Sequence, residues 1–397
     1  MVSNVVPIVD DVYWIGVNDR TTELFEAIWP LPDGVSYNSY LIDDDEVAVI
    51  DTVKETHIDS YLQNIKDTLG GRHPDYLIIN HIEPDHSGAI KAFKEAFPEI
   101  QIVGNQKTMN LLEDFYEIED NHVVVSDGDT IDLGEHQLNF HLTPMVHWPE
   151  TMMTYEEKTG TLFSGDAFGG FGTLDGGIFD DEVNIKHYES EIRRYYSNIV
   201  GKYSPMVQKA ISKLSDLEIE IIASTHGPVW RDNPERIISD YDRWSKQEKE
   251  KGVVMVYGSM YGNTQKIVEE IARNLATEGI KNIKVYNISK THVSHIINDI
   301  WKYEGLILGS CTYNMGIFPK MDYLLRILEN KNIKNHTLGI FGSYSWSGGA
   351  VSRLEEFADN LNYEPVNPTV EIKCSATEKD FADCAELAKN VAQQLKE

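Results

Sequence analysis

Five apolar, β-branched runs recur in the second half of the chain: Gly252–Ser259, Asn282–Ile288, Gly305–Tyr313, Thr337–Tyr344 and Val370–Cys374. Between them lie helix-patterned stretches such as Thr264–Glu278, where Ile267, Ile271 and Leu275 fall on one face. Strand–helix alternation of this kind predicts an α/β domain, a doubly wound parallel sheet with helices on both sides. The first half is mixed. Tyr37–Ile42 and Glu46–Asp51 alternate like hairpin strands, and Ile58–Leu69 reads as an amphipathic helix. Tyr76–Asn80, Gln101–Gly104, His122–Val125, Gln137–Thr143, Thr161–Gly165 and Glu218–Thr225 read as further strands. These predict an α+β sandwich with sheets inside and helices outside. The charged, helix-like stretch Tyr241–Lys251 separates the two rhythms, which gives domains 1–250 and 251–397.

Composition narrows the function. The chain has 397 residues, 41% hydrophobic, with a formal net charge of −29. A surface this acidic repels phosphate backbones and anionic lipid, so nucleic-acid and membrane-surface roles drop out. Three cysteines, Cys311, Cys374 and Cys384, lack CxxC spacing and form no disulfide framework, consistent with a reducing, cytoplasmic setting. The opening MVSNVVPIVDDVYWIG has no basic segment followed by an apolar run, and no stretch approaches the length of a membrane span.

The segment His81-Ile-Glu83-Pro-Asp85-His86 places four potential metal ligands at a strand-to-helix turn, before a helix from about Ser87 to Phe97. Alternate residues His81 and Glu83 can face one ion, and Asp85 and His86 another. The plainer alternative is a polar loop with Asp85 capping the helix. His147, Asp166 and His226 add ligand-type side chains, each following a strand. The remaining histidines, His57, His73, His122, His136, His141, His187, His292, His295 and His336, read as structural or solvated. A set rich in carboxylate and imidazole and free of thiolate suits iron or manganese, and admits zinc.

In the second half, Ser259-Met260-Tyr261-Gly262-Asn263-Thr264 puts hydroxyls and backbone N–H groups at a helix start, where a phosphate is favoured. No GxxxxGK[ST] is present. Two later loops, one holding Thr312, Tyr313, Asn314 and Gly316 and the other Ser343, Tyr344, Trp346, Gly348 and Gly349, also follow strands. They offer aromatic surface and free amides to a flat polar ring, near the switch point of such a sheet. Cys311 reads as a small packing residue.

Over residues 30–230 the first pattern resembles the metallo-β-lactamase superfamily, with Asp51 closing VAVIDT, then HxExDH, His147, Asp166 and His226 in order. Hydrolase members carry HxHxDH and usually zinc, whereas Glu83 occupies the second position here. The three later loops look like the phosphate loop and two isoalloxazine loops of flavodoxins. No adenosine-binding fingerprint is present, so the implied flavin is FMN. Fused in this order, with SYNSYL at Ser36–Leu41 and HWPE at His147–Glu150, the chain resembles the flavodiiron proteins.

That resemblance implies a metallo-β-lactamase-like αββα sandwich followed by a flavodoxin-like doubly wound sheet. It implies two irons, one held by His81, Glu83 and His147, the other by Asp85, His86 and His226, with Asp166 bridging. The residue matching His86 turns away from the metal in some members. Asp51 then reads as orienting a ligand imidazole. The implied activity is reduction of O2 to water, of NO to N2O, or of both, with electrons relayed through FMN. The implied donor is rubredoxin or a reduced deazaflavin, and the implied assembly a head-to-tail homodimer or a dimer of dimers. The chain ends at Glu397 without a rubredoxin-like extension, as in the two-domain class. Many members carry a histidine in an FHG-like segment, but Glu23-Leu-Phe25-Glu26 stands there in this chain. Two other expectations compete. One is a zinc hydrolase with an attached flavodoxin domain, in which metal-bound hydroxide attacks an ester or amide. The other is an electron carrier whose metal domain serves as a dimerisation scaffold.

Overall fold

The computed structural model describes residues 5–396; residues 1–4 and 397, the chain ends invoked above, lie outside them. The chain forms two compact units, Met1–Ser245 and Lys246–Glu397.

In the first unit a seven-stranded sheet runs in the order Val6–Val9, Val12–Trp14, Tyr40–Asp43, Val47–Ile50, Tyr76–Ile78, Gln101–Gly104, His122–Val124. A five-stranded sheet runs Thr130–Asp132, Gln137–Leu142, Met152–Glu156, Thr161–Gly165, Ile221–Ser224. Ala48, Ile50, Ile78 and Val103 of one sheet share a core with Phe140, Met152, Phe163 and Ala223 of the other. Val47 and Val49, one residue out of phase, are equally buried on the opposite face. Both faces of this strand are covered, so its sequence is an unbroken apolar run rather than an alternation. Helix Ile58–Leu69 buries Tyr61, Ile65 and Leu69, and Tyr61 meets Phe93 of helix Ile90–Ala96 with ring centroids 6.2 Å apart.

Three expected elements differ. Tyr37–Ile42 is divided: Val35–Tyr37 pairs with Val17–Asp19 in a separate two-stranded sheet, and Tyr40–Asp43 joins the main one. The break falls at Asn38, whose amide donates to the Ser224 and Gly227 carbonyls at 2.8 and 2.9 Å while its oxygen accepts from the Trp14 indole. The helix expected from Ser87 to Phe97 is two, Pro84–Ser87 and Ile90–Ala96, with Ser87 Oγ donating back to the Ile82 and Glu83 carbonyls. The helix expected over Tyr241–Lys251 runs instead from Pro234 to Ser245, anchored through buried Ile237, Tyr241 and Trp244. Lys251 belongs to the following strand, Glu250–Gly258.

The second unit is a parallel five-stranded sheet in the order Ile283–Asn287, Glu250–Gly258, Tyr303–Tyr313, Thr337–Tyr344, Val366–Lys373. In chain order this is 2-1-3-4-5, the doubly wound arrangement whose ligand crevice lies at the carboxyl ends beside strands one and three. Helix Asn263–Thr277 buries Ile267, Ile271 and Leu275 as its spacing predicts. A short strand, Gly316–Ile317, folds back on Thr312 and Tyr313. Among the described residues no helix is long and apolar enough to cross a membrane.

Candidate functional site

The metal-type side chains converge at the carboxyl ends of the first unit's strands. Asp51, just past Val47–Ile50, accepts the backbone N–H groups of Asn80 (2.8 Å) and His81 (3.3 Å) on one carboxylate oxygen. It therefore holds the backbone where the HxExDH segment begins, and does not orient an imidazole as expected. That task falls to Glu150, whose Oε1 lies 2.7 Å from Nδ1 of His81 and also accepts the Ile82 N–H.

Donor atoms of His81, Glu83, His147 and Asp166 lie within 4.8 Å of one another, and those of Asp85, His86 and His226 form a second such group. His147 Nε2 is 3.1 Å from Glu83 Oε2 and 3.0 Å from Asp166 Oδ2. Across the site, His86 Nε2 is 2.8 Å from Asp166 Oδ1, and both His86 and His226 lie 3.3 Å from Asp85 Oδ2. One oxygen of Asp166 thus faces each group. All seven residues singled out by sequence are brought together, and His86 points inward with them.

The surroundings orient these groups. His226 Nδ1 is 2.7 Å from the Ser36 carbonyl, which directs Nε2 into the cluster. Asp166 accepts the Tyr195 hydroxyl on Oδ2 and the Thr225 hydroxyl on Oδ1, each at 2.7 Å. Tyr195, Thr225, Ser36 and Glu150 were not among the residues singled out as ligands; Ser36 and Glu150 carried a signal, through their places in SYNSYL and HWPE.

The residues fit a pair of cations. Both carboxylate oxygens of Asp85 and the Nε2 atoms of His86 and His226 are buried without a well-aligned hydrogen bond, even though His86 Nε2 lies 2.8 Å from Asp166 Oδ1. Buried polar atoms are ordinarily bonded, so a set of them aimed at common points calls for an ion. Asp85 makes no capping hydrogen bond, which removes the plainer alternative. Burial by itself would keep His86 and His147 neutral, yet the carboxylates around them raise His86 (Asp85, then Asp166) and His147 (Asp166, then Glu83) to about 9. Against burial, hydrogen bonds from His147 and His81 bring Glu83 down to about 2. The cavity favours positive charge, and its imidazole and carboxylate donors suit iron.

Beside the cluster opens a cleft of about 740 Å³, lined among others by Phe25, Glu26, Tyr37, Lys54, Glu83 and Asp85. Phe25 sets its ring edge-on to His226 at 5.4 Å. Glu26, in the stretch where a histidine was looked for, holds its carboxylate against the Trp29 indole N–H at 2.9 Å.

In the second unit the expected loops meet at one end of the sheet. Ser259 Oγ accepts the Gly262 N–H at 3.1 Å, and Gly262 takes φ 90°, a conformation that glycine supplies without strain. From there Asn263 and Thr264 open the helix, and the Thr264 hydroxyl pairs with that of Ser343 at 2.9 Å. Thr312, Tyr313, Asn314 and Gly316 form the hairpin after the third strand. Tyr344 ends the fourth, Thr337–Tyr344, and Trp346, Gly348 and Gly349 follow it. At Gly349 an added Cβ would stand 2.1 Å from the Met315 carbonyl, so glycine lets two loops close on one another. Met260, Tyr261, Tyr313 and Trp346 are exposed, Tyr261 at 91% and Trp346 at 84%, and Tyr344 is half-buried. Three of these, Tyr261, Tyr313 and Trp346, are aromatic rings left open to solvent. Cys311 is buried, and burial pushes its thiol up, as a packing residue requires.

Residues 35–227 match a family described as ODP family beta lactamase, and residues 255–387 match Flavodoxin. The chain is 32% identical over 390 residues to the anaerobic nitric oxide reductase flavorubredoxin of Vibrio vulnificus, covering 97% of this chain and 78% of that one. The fold is similar to rubredoxin:oxygen oxidoreductase of Desulfovibrio gigas, with TM-score 0.95, 29% identity and 99% of both chains covered. It is likewise similar to the flavodiiron protein of Giardia intestinalis, with TM-score 0.94 and 27% identity over 99% and 97% of the two chains.

Proposed function

The chain belongs to the flavodiiron protein family, and from that premise we propose that it reduces O2 to water, NO to N2O, or both, in the cytoplasm. It is an oxidoreductase carrying FMN and a diiron centre. The observation that carries the reading is Asp166, with one carboxylate oxygen turned to each of two ligand groups, in a chain that also holds a flavodoxin unit.

Reduction of O2 to two waters consumes four electrons and four protons; conversion of two NO to N2O and water consumes two of each. When bound, FMN accepts electrons from a donor and the iron pair transfers them to the gas. His81, Glu83 and His147 would hold one iron, Asp85, His86 and His226 the other, with Asp166 between. Glu150 and the Ser36 carbonyl fix which imidazole nitrogen faces the metal. Tyr195 and Thr225 keep both Asp166 oxygens in place. In the second unit, Ser259–Thr264 would take the FMN phosphate, and the loops of Thr312–Gly316 and Ser343–Gly349 the ring.

The donor proposed is rubredoxin, with a reduced deazaflavin as the alternative; the Desulfovibrio relative carries rubredoxin in its name. A head-to-tail homodimer, or a dimer of dimers, would bring one copy's flavin to another's irons. Elemental analysis together with released-flavin absorbance tests the reading. About two irons and one FMN per chain, with gas consumption, are expected. Two zincs after iron-replete growth would overturn it in favour of metal-hydroxide hydrolysis.

A further inference from the structure

At the amino-terminal ends of the second unit's strands, opposite the loops assigned to the flavin, lies a pocket of about 350 Å³ formed wholly by residues of that unit. Lys249 lines it just before strand Glu250–Gly258, and His336 just before strand Thr337–Tyr344. Neither belongs to the flavin loops or to the metal-type cluster. The rim is fixed: the Gln247 side chain donates to the Asn332 carbonyl at 3.2 Å and accepts the Lys334 N–H at 2.7 Å, and the Asn335 amide donates to the Gln247 carbonyl at 3.1 Å.

Lys249 Nζ stands 3.1 Å from the Trp301 carbonyl and 3.4 Å from the Ile300 carbonyl, near the end of helix Val293–Lys302, and 5.2 Å from the centroid of the Trp301 ring. Among the described residues no carboxylate forms an ion pair with it. Of the two acids lining the pocket, Glu304 faces Lys251 at 3.0 Å and Glu248 is exposed. Glu250, next in sequence, faces Lys302 at 3.5 Å. An ammonium carries three N–H bonds and finds two acceptors here; a neutral amine carries two, which match them and leave its lone pair over. Burial favours the neutral form and brings Lys249 down to about 7. The residue is half-buried, so its amine is reachable through the pocket.

His336 is the second unfinished group. Its Nδ1 lies 3.2 Å from the Glu304 carbonyl, an acceptor, so the proton of the neutral ring sits on Nδ1 and Nε2 keeps a lone pair. Nε2 is buried without a hydrogen-bond partner, an unusual state for a polar atom. Burial, and then the neighbouring Lys249 charge, hold the ring well below its ordinary range. Tyr363, with its ring 6.2 Å from that of His336, donates its hydroxyl proton to the Ile333 carbonyl at 2.9 Å.

We propose that Lys249 is a site of reversible carbamate formation with CO2, and that His336 takes the proton released. The nitrogen lone pair adds to the carbon of CO2: an N–C bond forms and one C–O π pair moves onto oxygen. One N–H bond then breaks, and its proton passes to Nε2 of His336. Nothing is oxidised or reduced. The remaining N–H stays on the Trp301 carbonyl, the nearer of the two, while the Ile300 carbonyl gives up its donor. Carbamate and imidazolium then form an ion pair where an amine lone pair and a ring nitrogen had no partner. CO2 is small and uncharged, which suits a pocket whose Glu248 and Glu304 repel electrophiles bearing carboxylate or phosphate. The site is independent of the gas-reductase reading.

The test exposes the full-length holoprotein to isotope-labelled CO2 at constant partial pressure. Triethyloxonium ion then fixes any carbamate as its ethyl ester, which peptide mass spectrometry locates. An ordinary lysine is almost wholly protonated near neutral pH, so Lys249 should carry on the order of 100-fold more label than the exposed Lys251. Occupancy should rise as pH climbs through about 7. Lys249→Arg keeps donors for the two carbonyls but has no amine to react; its label should vanish with FMN content unchanged. His336→Gln removes the proton acceptor and should lower occupancy roughly tenfold. Label shared evenly between Lys249 and Lys251, or undiminished in His336→Gln, would overturn the proposal. So would an isotope signal on the intact protein without the ester, which is bicarbonate held non-covalently.

Discussion

Glu150 Oε1 stands 2.7 Å from Nδ1 of His81, both side chains wholly buried, and so decides which nitrogen of that imidazole is left for metal. A carboxylate in this position also raises the basicity of the ligand. Replacing Glu150 with Ala leaves the Nδ1 proton without its acceptor and the ring free to turn. The expected result is roughly a 10- to 100-fold loss in iron affinity, read as iron retained against a chelator, with FMN content unchanged. Unaltered iron retention in a folded Glu150→Ala protein would remove Glu150 from the site.

Asp166 should separate the two halves of the reaction. Asp166→Ala is expected to abolish O2 and NO consumption while dithionite still reduces the FMN. The Tyr195 and Thr225 hydroxyls would also lose an acceptor in that variant, so Asp166→Asn is the companion: it keeps hydrogen-bonding atoms and removes the charge. Gas consumption surviving in both would mean the bridge plays no part.

The flavin cradle is tested at Gly349. A methyl group there meets the Met315 carbonyl, a backbone atom that cannot swing aside as a side chain does. Overpacking of this sort costs about 1–3 kcal/mol, so FMN should bind roughly ten- to hundredfold more weakly in Gly349→Ala. Flavin fluorescence on titration of apoprotein measures it, and iron content should stay constant. Undiminished FMN affinity would place the ring elsewhere.

What sequence made legible follows from how local each signal is. Strands buried on both faces, such as Val47–Ile50, announce themselves as apolar runs, and the seven ligand-type residues sit in the turns, or in the short helix Pro84–Ser87, that follow strands, where a linear reading can find them. The partners that orient them are not local. Glu150 lies 69 residues from His81, Ser36 lies 190 from His226, and Thr225 lies 59 from Asp166. Asp51 was noticed, but whether its carboxylate meets an imidazole or two amide N–H groups depends on the register of Val47–Ile50 against Tyr76–Ile78, which the sequence does not display. The helix ending at Ser245 was misplaced for a related reason. Its charged tail resembles helix, whereas tertiary packing of Tyr241 on Phe168 and Tyr196, at 4.7 and 4.8 Å, decides which residues belong to it.

Metal removal should leave a pH signature with a definite sign. In the metal-free cluster, Asp85 and Asp166 outweigh burial to raise His86 to about 9, and Asp166 and Glu83 do the same for His147, from an ordinary 6.5. A histidine whose folded pKa is raised binds its proton more tightly folded than unfolded. Its contribution is therefore complete below about pH 6.5 and disappears as pH rises through about 9. Glu83, brought down to about 2 from 4.5, contributes in the opposite sense: fully above about pH 4.5, and progressively lost as pH falls through about 2. Chelator-treated protein should thus be most stable between about pH 4.5 and 6.5 and lose Tm steadily toward pH 9. In the loaded protein the same nitrogens hold iron instead of protons, so the alkaline decline should vanish, while acid releases the metal. Thermal unfolding of both forms from about pH 5 to 9 checks this. A metal-free Tm that holds level or climbs from pH 6.5 to 9 would mean that protons do not take the place of the ions in this cavity.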